Sequence, residues 1–213
     1  MRFRDRAHAG RELAKLLERY RASGALILAI PAGGVPVAAA IAESLALELR
    51  AASVSKVLLP WTTESGYGAV AFDGSVWLDE AAIERYGLSA AQVEHAIAVA
   101  RAKVERRCTL LGSTKLAIEG RTIILVDDGI AAGSTMRTAI AAMRKQGAAK
   151  VVVAVPTAHA SSFAAIAKLA DDVQCVDVRA GVRFAVADAY EQWRDLTDEE
   201  IAQMLENLGR FSD

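Results

Sequence analysis

Residues 123–136 read Ile-Ile-Leu-Val-Asp-Asp-Gly-Ile-Ala-Ala-Gly-Ser-Thr-Met. A short apolar run that ends at two adjacent acids is typical of a strand buried on both faces of a parallel sheet. Small residues and two hydroxyls follow, and the pattern then takes on helical spacing. The stretch therefore predicts a strand over 122–126, a polar and glycine loop over 127–134 and a helix over 135–146.

The same order of strand, glycine loop and helix occurs earlier in the chain. Ala25–Ile30 is apolar throughout, Pro31-Ala32-Gly33-Gly34 breaks the run, and an alanine-rich helix follows over Val37–Leu47. Two more apolar runs, Val151–Val155 and Val173–Val178, predict further strands. This alternation predicts an α/β fold with a mostly parallel central sheet flanked by helices on both faces.

The remaining elements are predicted from capping residues and periodicity. We expect helices over 5–20, 79–87, 89–111, 161–169 and 197–208, strands over 49–59 and 76–78, and a loop over 60–74. A loop of this length in a compact domain is more often a functional lid than an idle connection. The 213 residues contain no linker rich in Gly, Ser or Pro, so we expect a single domain over 1–213.

Charge and hydropathy argue against several classes of protein. Lys and Arg number 25 against 26 Asp and Glu, so the net charge of −1 gives no general attraction for nucleic acid or an anionic membrane. The apolar runs are far shorter than the roughly 20 residues of a membrane span, and residues 1–11 do not fit a secretory signal. Cys108 and Cys175 lack metal-ligand spacing, so we expect free thiols. These features predict a cytoplasmic protein.

The two acids and the loop behind them predict a site for a phosphorylated sugar. Asp127 and Asp128 follow a strand, and open α/β sheets bind ligands at the carboxyl ends of their strands. The small loop residues let backbone N–H groups approach an anion at a helix start, where Ser134 and Thr135 add hydroxyl donors. Two carboxylates would repel a phosphate unless sugar hydroxyls and a divalent cation lie between them. A phosphorylated ribose fits this arrangement.

Residues 126–135 resemble the phosphoribosyl pyrophosphate motif of type I phosphoribosyltransferases. The resemblance implies that family's fold with a small hood region, and it implies that Asp127 and Asp128 hold the ribose hydroxyls beside a Mg²⁺ held mainly by ligand and water. It assigns the 5′-phosphate to Gly129, Ile130, Ala131, Ala132, Gly133, Ser134 and Thr135. Similarity to a bacterial group of predicted phosphoribosyltransferases extends further, in Asp5-Arg6 with Ala9-Gly10, Ile30–Ala38, Gly68–Ala71 and Thr197–Glu200.

The same resemblance assigns the pyrophosphate end of the substrate. Residues Ala32, Gly33 and Gly34 correspond to the pyrophosphate loop, and Lys56 is the best candidate for a catalytic cation. The bacterial group commonly has Arg at the position of Ala32, and Arg is frequent at that of Ser55. Two expected positive charges are therefore absent.

A lid and a hood complete the implied site. Residues 60–74 correspond to the mobile catalytic lid, which carries Glu64 as a second candidate catalytic residue. The segment 179–213 corresponds to the hood that receives the base, with Phe184, Val186 and Asp188 as candidate base-binding residues.

The implied activity is transfer of a phosphoribosyl group from phosphoribosyl pyrophosphate to a nitrogenous base, with Mg²⁺ and in a homodimer. The alternative is a regulatory module that binds the same metabolite with little or no catalysis, since Ala32 and Ser55 remove charge from the site. The sequence does not identify the base that accepts the phosphoribosyl group. Ala131 stands where the 6-oxopurine enzymes carry Asp, and Ala132-Gly133 resembles the orotate-type variant.

Each residue assigned a role outside the main motif also has a structural explanation, in which it serves only the fold and binds no ligand. The loop at 32–34 would then be a plain strand-to-helix turn, Lys56 a solvated lysine, Glu64 and Asp73 surface acids, and Phe184, Tyr190 and Trp193 core or rim aromatics. We assign no role to His8, His95 or His159.

Overall fold

Two β-sheets form the framework of the computed structural model, which describes residues 2–63, 65–181 and 184–209. The strands are β1 (Leu26–Ala29), β2 (Glu48–Ala51), β3 (Val54–Leu58), β4 (Gly66–Ala71), β5 (Val76–Leu78), β6 (Thr122–Val126), β7 (Lys150–His159) and β8 (Asp172–Arg179). The helices are α1 (Arg6–Leu16), α2 (Gly34–Leu45), α3 (Glu80–Tyr86), α4 (Ala90–Leu110), α5 (Ser134–Lys145), α6 (Ala160–Ile166) and α7 (Asp198–Gly209), with 3₁₀ turns at Glu18–Tyr20 and Val186–Ala189. Within the described ranges, none of the helices is both long enough and apolar enough to cross a membrane.

The larger sheet confirms the prediction of a parallel core. Its strands run in the order β2-β1-β6-β7-β8, and every neighbouring pair is parallel. Side chains alternate between the faces, so Leu125 packs with α5 whereas Ile124 and Val126 pack with α1 and α2. Helices α1, α2 and α7 cover one face, and α5, α6 and the smaller sheet cover the other. Burial on both faces explains the unbroken apolar runs in the sequence.

The smaller sheet is antiparallel, in the order β3-β4-β5, and corrects the prediction for residues 49–59. These residues do not form a single strand but divide between β2 in the larger sheet and β3 in the smaller one. The Ala52 N–H still donates to the Ala29 carbonyl, and the chain then leaves the parallel sheet. Residues 51–54 are all buried, and Ser53 is the single polar residue among them, so the largely apolar sequence does not mark the division clearly.

The prediction of a loop over residues 60–74 is wrong for 66–71, which form β4. This strand is buried along most of its length and rich in small residues, so it lacks the alternating pattern of a half-buried strand. Gly68 is required where β4 meets β5, because a Cβ atom there would lie 2.4 Å from the Trp77 carbonyl oxygen. The connection between β3 and β4 is therefore much shorter than the predicted lid.

Helix α4 covers the outer face of the smaller sheet. Its residues Ala100, Val104 and Cys108 recur every four positions and pack with Val57 and Tyr67. This packing uses one stripe of the helix and leaves the neighbouring stripe for other contacts.

The sheet topology creates a crevice beside the predicted site. Strands β1 and β6 are adjacent, with Ala29 opposite Val126. From β1 the chain passes through α2 to β2, whereas from β6 it passes through α5 to β7 on the other side. The two following loops therefore diverge at the carboxyl ends of the strands, which is where open α/β sheets bind ligands.

Candidate functional site

The acid pair lies directly against the glycine loop that follows β1. A Cβ atom at position 33 would lie 1.8 Å from Asp128 Oδ2, and one at position 34 would lie 2.6 Å from the Val126 carbonyl oxygen. Only glycine admits a carboxylate and a strand end so close to its backbone. The two motifs that the sequence analysis singled out, Ala32-Gly33-Gly34 and Asp127-Asp128, therefore come together at one place.

Arg6, the first residue of α1, forms an ion pair with Asp128. Its Nε donates to Asp128 Oδ2 over 2.9 Å, and the two side chains are only 9% and 14% exposed. Its Nη1 donates to the Arg194 carbonyl over 2.9 Å, and the guanidinium lies 3.9 Å from the centre of the Trp193 ring. Hydrogen bonds at two nitrogens and stacking on one face hold this guanidinium in place. No sequence pattern links the two residues, because 122 positions separate them.

The two carboxyls of the acid pair have unequal surroundings. Burial raises the pKa of Asp127 well above its ordinary value, and the neighbouring charge of Asp128 raises it further. Burial also raises the pKa of Asp128, but the Arg6 guanidinium opposes that rise. The pair titrates as a unit, with the negative charge favoured at Asp128 and the proton favoured at Asp127.

Tyr190 fastens the C-terminal segment to the acid pair. Its hydroxyl donates to the Asp128 carbonyl oxygen over 2.6 Å, and its ring centre lies 5.8 Å from that of Phe3. Burial raises the pKa of the Tyr190 hydroxyl, which therefore stays a donor. Val186 packs against Gly129, the residue after the acid pair. A Cβ atom on Gly129 would lie 2.6 Å from Val186 Cγ1. Tyr190 is thus a core aromatic, as its structural explanation holds, and it also anchors the site backbone.

Helix α5 begins at Ser134 without a side-chain cap. Gly133 has a φ of +84°, a conformation that glycine adopts readily, and the first bond of the helix runs from the Arg137 N–H to the Gly133 carbonyl. The N–H groups before Arg137 have no partner within the helix, and such a helix start favours an anion. Thr135 is half-buried beside them.

Ile130 is turned toward the core. Its N–H donates to the Thr157 carbonyl over 2.9 Å, and its carbonyl accepts from the His159 N–H. Its side chain is buried among the residues under the larger sheet. Because the Ile130 N–H already donates to β7, it is not available to bind the 5′-phosphate. Ala131 and Ala132 are exposed at the tip of the loop.

Lys56 lies on β3 with its side chain exposed. Its positive charge lowers the pKa of both Asp127 and Asp128, so the lysine and the acid pair share one neighbourhood. Ser55, at the other position where a cation is frequent, is buried. Glu64 lies outside the described residues.

The predicted base-binding residues have different environments. Phe184 meets His159 edge-on, with ring centres 5.8 Å apart. Val186 lies against Gly129, whereas Asp188 is exposed on a 3₁₀ turn. Phe184 and Val186 therefore lie near the motif, and Asp188 faces solvent.

Trp193 fits its structural explanation, whereas Asp73 is not the surface acid that its explanation predicts. Asp73 is 3% exposed at its side chain, accepts from Ser75 and pairs with Lys145 over 3.2 Å. Trp193 is 39% exposed and stacks on Arg6. Asp73 is thus a turn residue, and Trp193 is an aromatic at the rim.

A guanidinium from α4 contacts the glycine loop. The Pro31–Ala32 peptide bond is cis, and the Pro31 carbonyl accepts a hydrogen bond from Arg107 Nη1 over 3.4 Å. Arg107 Nε pairs with Asp198 over 2.8 Å, at the start of α7. Sequence reasoning missed this contact, because nothing in the pattern of α4 indicates that it reaches the loop.

The donor set of the acid pair suits one kind of metal site. Among the described residues, no three or more His, Cys, Asp or Glu side chains are grouped to hold a metal ion. Mg²⁺ commonly takes one or two carboxylates and completes its shell with water and substrate phosphates. Asp127 and Asp128 therefore fit a Mg²⁺ that a phosphorylated ligand would help to hold.

The chain is similar to known proteins over nearly its whole length. The family model of the phosphoribosyl transferase domain matches residues 6–189. The "Putative phosphoribosyl transferase Rv0571c" of Mycobacterium tuberculosis is 34% identical over 210 residues, which cover 98% of this chain and 47% of that protein. The chain thus spans about half the length of the curated relatives it matches. The crystal structure of TT1426 from Thermus thermophilus has 34% sequence identity and a TM-score of 0.76, and the match covers 98% of this chain and 99% of that one. The chain belongs to the phosphoribosyl transferase domain family.

Proposed function

We propose that this chain transfers a phosphoribosyl group from phosphoribosyl pyrophosphate to a nitrogenous base. One observation carries the proposal: the Asp127-Asp128 pair lies at the crevice between β1 and β6, packed on Gly33 and followed by an uncapped helix start. These parts suit the ribose, the pyrophosphate and the 5′-phosphate of one ligand.

The ribose and 5′-phosphate are assigned to the loop after β6. Asp127 and Asp128 accept hydrogen bonds from the ribose hydroxyls, and Arg6 keeps Asp128 in one orientation while they do so. The N–H groups at the start of α5, with the Ser134 and Thr135 hydroxyls, bind the 5′-phosphate. A fixed loop of this kind positions the sugar without a rearrangement at each turnover.

The pyrophosphate is assigned to the loop after β1, where Gly33 and Gly34 bring the backbone close to the acid pair. Asp127 and Asp128 would help to hold a Mg²⁺ ion together with the ligand and water, and that ion would supply positive charge for the leaving group. Lys56 adds a positive charge in the same neighbourhood.

In the reaction, the bond from ribose C1 to the pyrophosphate oxygen breaks and a bond from C1 to a base nitrogen forms. Pyrophosphate leaves with the electron pair, and the acceptor nitrogen loses its proton. Positive charge develops at C1, so the chain acts chiefly by orienting both partners, stabilising the leaving charge and excluding water. We assign the exclusion of water to two segments, residues 60–65 as a lid and the C-terminal segment as a hood. We also propose that the chain acts as a homodimer in the cytoplasm.

The acceptor is assigned to the space bounded by Phe184 and Val186. Phe184 offers an aromatic face and Val186 an apolar wall beside Gly129, which together suit the plane of a nucleobase. Asp188 is the candidate for a polar contact to the base from the exposed turn.

The alternative is a regulatory module that binds phosphoribosyl pyrophosphate with little or no turnover. One observation favours it: Ala32 is uncharged and Ser55 is buried, so neither supplies the cation common in the related group. The test is to incubate the protein with Mg²⁺, phosphoribosyl pyrophosphate and a panel of purine and pyrimidine bases, and to measure pyrophosphate release. Release with one base supports transfer, whereas binding without release supports the regulatory module.

A further inference from the structure

Helix α4 presents a group of cations near the glycine loop. Its residues Lys103, Arg106 and Arg107 lie within two turns, and Arg107 reaches the Pro31 carbonyl over 3.4 Å. The stripe formed by Ala100, Val104 and Cys108 is packed on the smaller sheet. Lys103 and Arg107, four positions apart, form the adjacent stripe and therefore share one side of the helix.

The positive charge of this group exceeds the negative charge that faces it. Asp198 pairs with Arg107 over 2.8 Å and lies 3.9 Å from Arg106. One carboxylate therefore serves two guanidiniums, and Lys103 adds a third charge to the same group. Excess charge of one sign at the rim of a crevice attracts an ion of the other sign.

The surroundings of the Lys103 amine agree with this imbalance. Partial burial lowers the pKa of Lys103, and the charges of Arg107, Arg106 and Lys56 lower it further, against the opposing charge of Asp198. The charge of Lys56 also acts on Asp127 and Asp128. Lys56 thus acts on both Lys103 and the acid pair, and a bound anion would offset the positive charge around Lys103.

We infer that Lys103 binds the pyrophosphate group of the substrate and supplies the cation that Ala32 does not, with Arg107 as the positioning residue that fixes α4 against the glycine loop. The inference rests on the proposed function. In this arrangement the charge for the leaving group comes from α4, the helix that packs on the smaller sheet and contacts the glycine loop. Lys103 is exposed and carries the contact, whereas Arg107 is nearly buried and bonded to Pro31 and Asp198.

The test compares Lys103→Gln with Arg101→Gln by calorimetric titration. Arg101 is an exposed cation of the same helix, and two residues of an α-helix turn it about 200° away from Lys103. Each protein is titrated with inorganic pyrophosphate, phosphoribosyl pyrophosphate and ribose 5-phosphate, all in the presence of Mg²⁺. A third variant, Lys103→Arg, retains the charge.

Lys103→Gln is expected to weaken pyrophosphate and phosphoribosyl pyrophosphate binding by about tenfold, as for one charge-assisted contact, and to leave ribose 5-phosphate unchanged. Arg101→Gln should bind all three like the wild type, and Lys103→Arg should recover most of the lost affinity. Unchanged pyrophosphate affinity in Lys103→Gln, or an equal loss for ribose 5-phosphate, would overturn the inference and leave the proposed function standing. A wild type that binds neither phosphoribosyl compound would overturn both.

Discussion

The guanidinium of Arg6 lies 2.9 Å from the carboxylate of Asp128, although the residues are 122 positions apart in the chain. The contact ties the first turn of α1 to the loop after β6. It also brings in the C-terminal segment, because Arg6 donates to the Arg194 carbonyl and stacks on Trp193. Three distant parts of the chain therefore meet at one carboxylate of the proposed ribose site.

Arg6→Gln is expected to destabilise the fold by about 3 kcal/mol, because removing one partner leaves a nearly buried charge uncompensated. Urea unfolding measures the loss. Asp128→Asn in the Arg6→Gln background should cost less than it does in the wild type, with a coupling free energy of more than about 1 kcal/mol. Additive losses in the two variants would show that the ion pair contributes nothing to stability.

The raised pKa of Asp127 makes stability depend on pH. An unfolded Asp ionises near pH 3.9. A folded pKa above that value gives a contribution that is complete at low pH and is lost as pH rises through the folded pKa. Asp127→Asn lacks this loss, so its melting temperature should rise relative to the wild type as the pH increases above about 4.

Asp188→Asn is the control for that experiment, since it removes an exposed acid from the C-terminal segment. It should follow the wild type at every pH. A difference between Asp127→Asn and the wild type that does not change with pH would contradict the account of the acid pair.

Gly33→Ala is expected to destabilise the fold by about 1–3 kcal/mol, because the added Cβ atom would lie 1.8 Å from Asp128 Oδ2. The cause can be isolated by repeating the substitution in an Asp128→Ala background, where the carboxylate is gone. There Gly33→Ala should cost much less, as thermal or urea unfolding would show. An equal cost in both backgrounds would mean that the loop and the acid pair are not in contact.

Thr135→Val is expected to weaken ribose 5-phosphate binding by about ten- to a hundredfold, because a hydrogen bond to a charged group contributes about 1.5–3 kcal/mol. Thr138→Val is the matched control, since its hydroxyl donates to the Ser134 carbonyl inside the helix rather than to the proposed site. Thermal-shift titrations with ribose 5-phosphate and with ribose compare the two variants. Equal weakening of both ligands by Thr135→Val would indicate that Thr135 supports the fold and does not bind the phosphate.

The parallel core and the main motif were predictable from the sequence because their signals are local. Four apolar residues followed by Asp127-Asp128 and a loop of small residues define a buried strand, its end and the start of α5. The same local signals failed over 49–59 and 60–74. Buried residues there continue from one sheet into the other, and small residues replace the alternation that marks a strand.

The parts of the site that depend on tertiary contacts were not predictable in this way. The sequence singled out both Arg6 and Asp128, but it did not show that the two residues form an ion pair. Arg107 lies in a helix whose pattern indicates only an amphipathic surface, and its contact with Pro31 arises from how α4 packs beside the sheet. Long-range pairs of this kind leave no periodic trace in a single sequence.

The most direct test of the central claim is calorimetric titration of phosphoribosyl pyrophosphate with Mg²⁺ into the wild type and into Asp127→Asn/Asp128→Asn. The wild type should bind, and the double variant should fold but lose binding, because neutral amides replace the charged acceptors of the ribose hydroxyls. Circular dichroism establishes that the variant is folded. Unchanged affinity in a folded double variant would contradict the claim that the acid pair forms the ribose site.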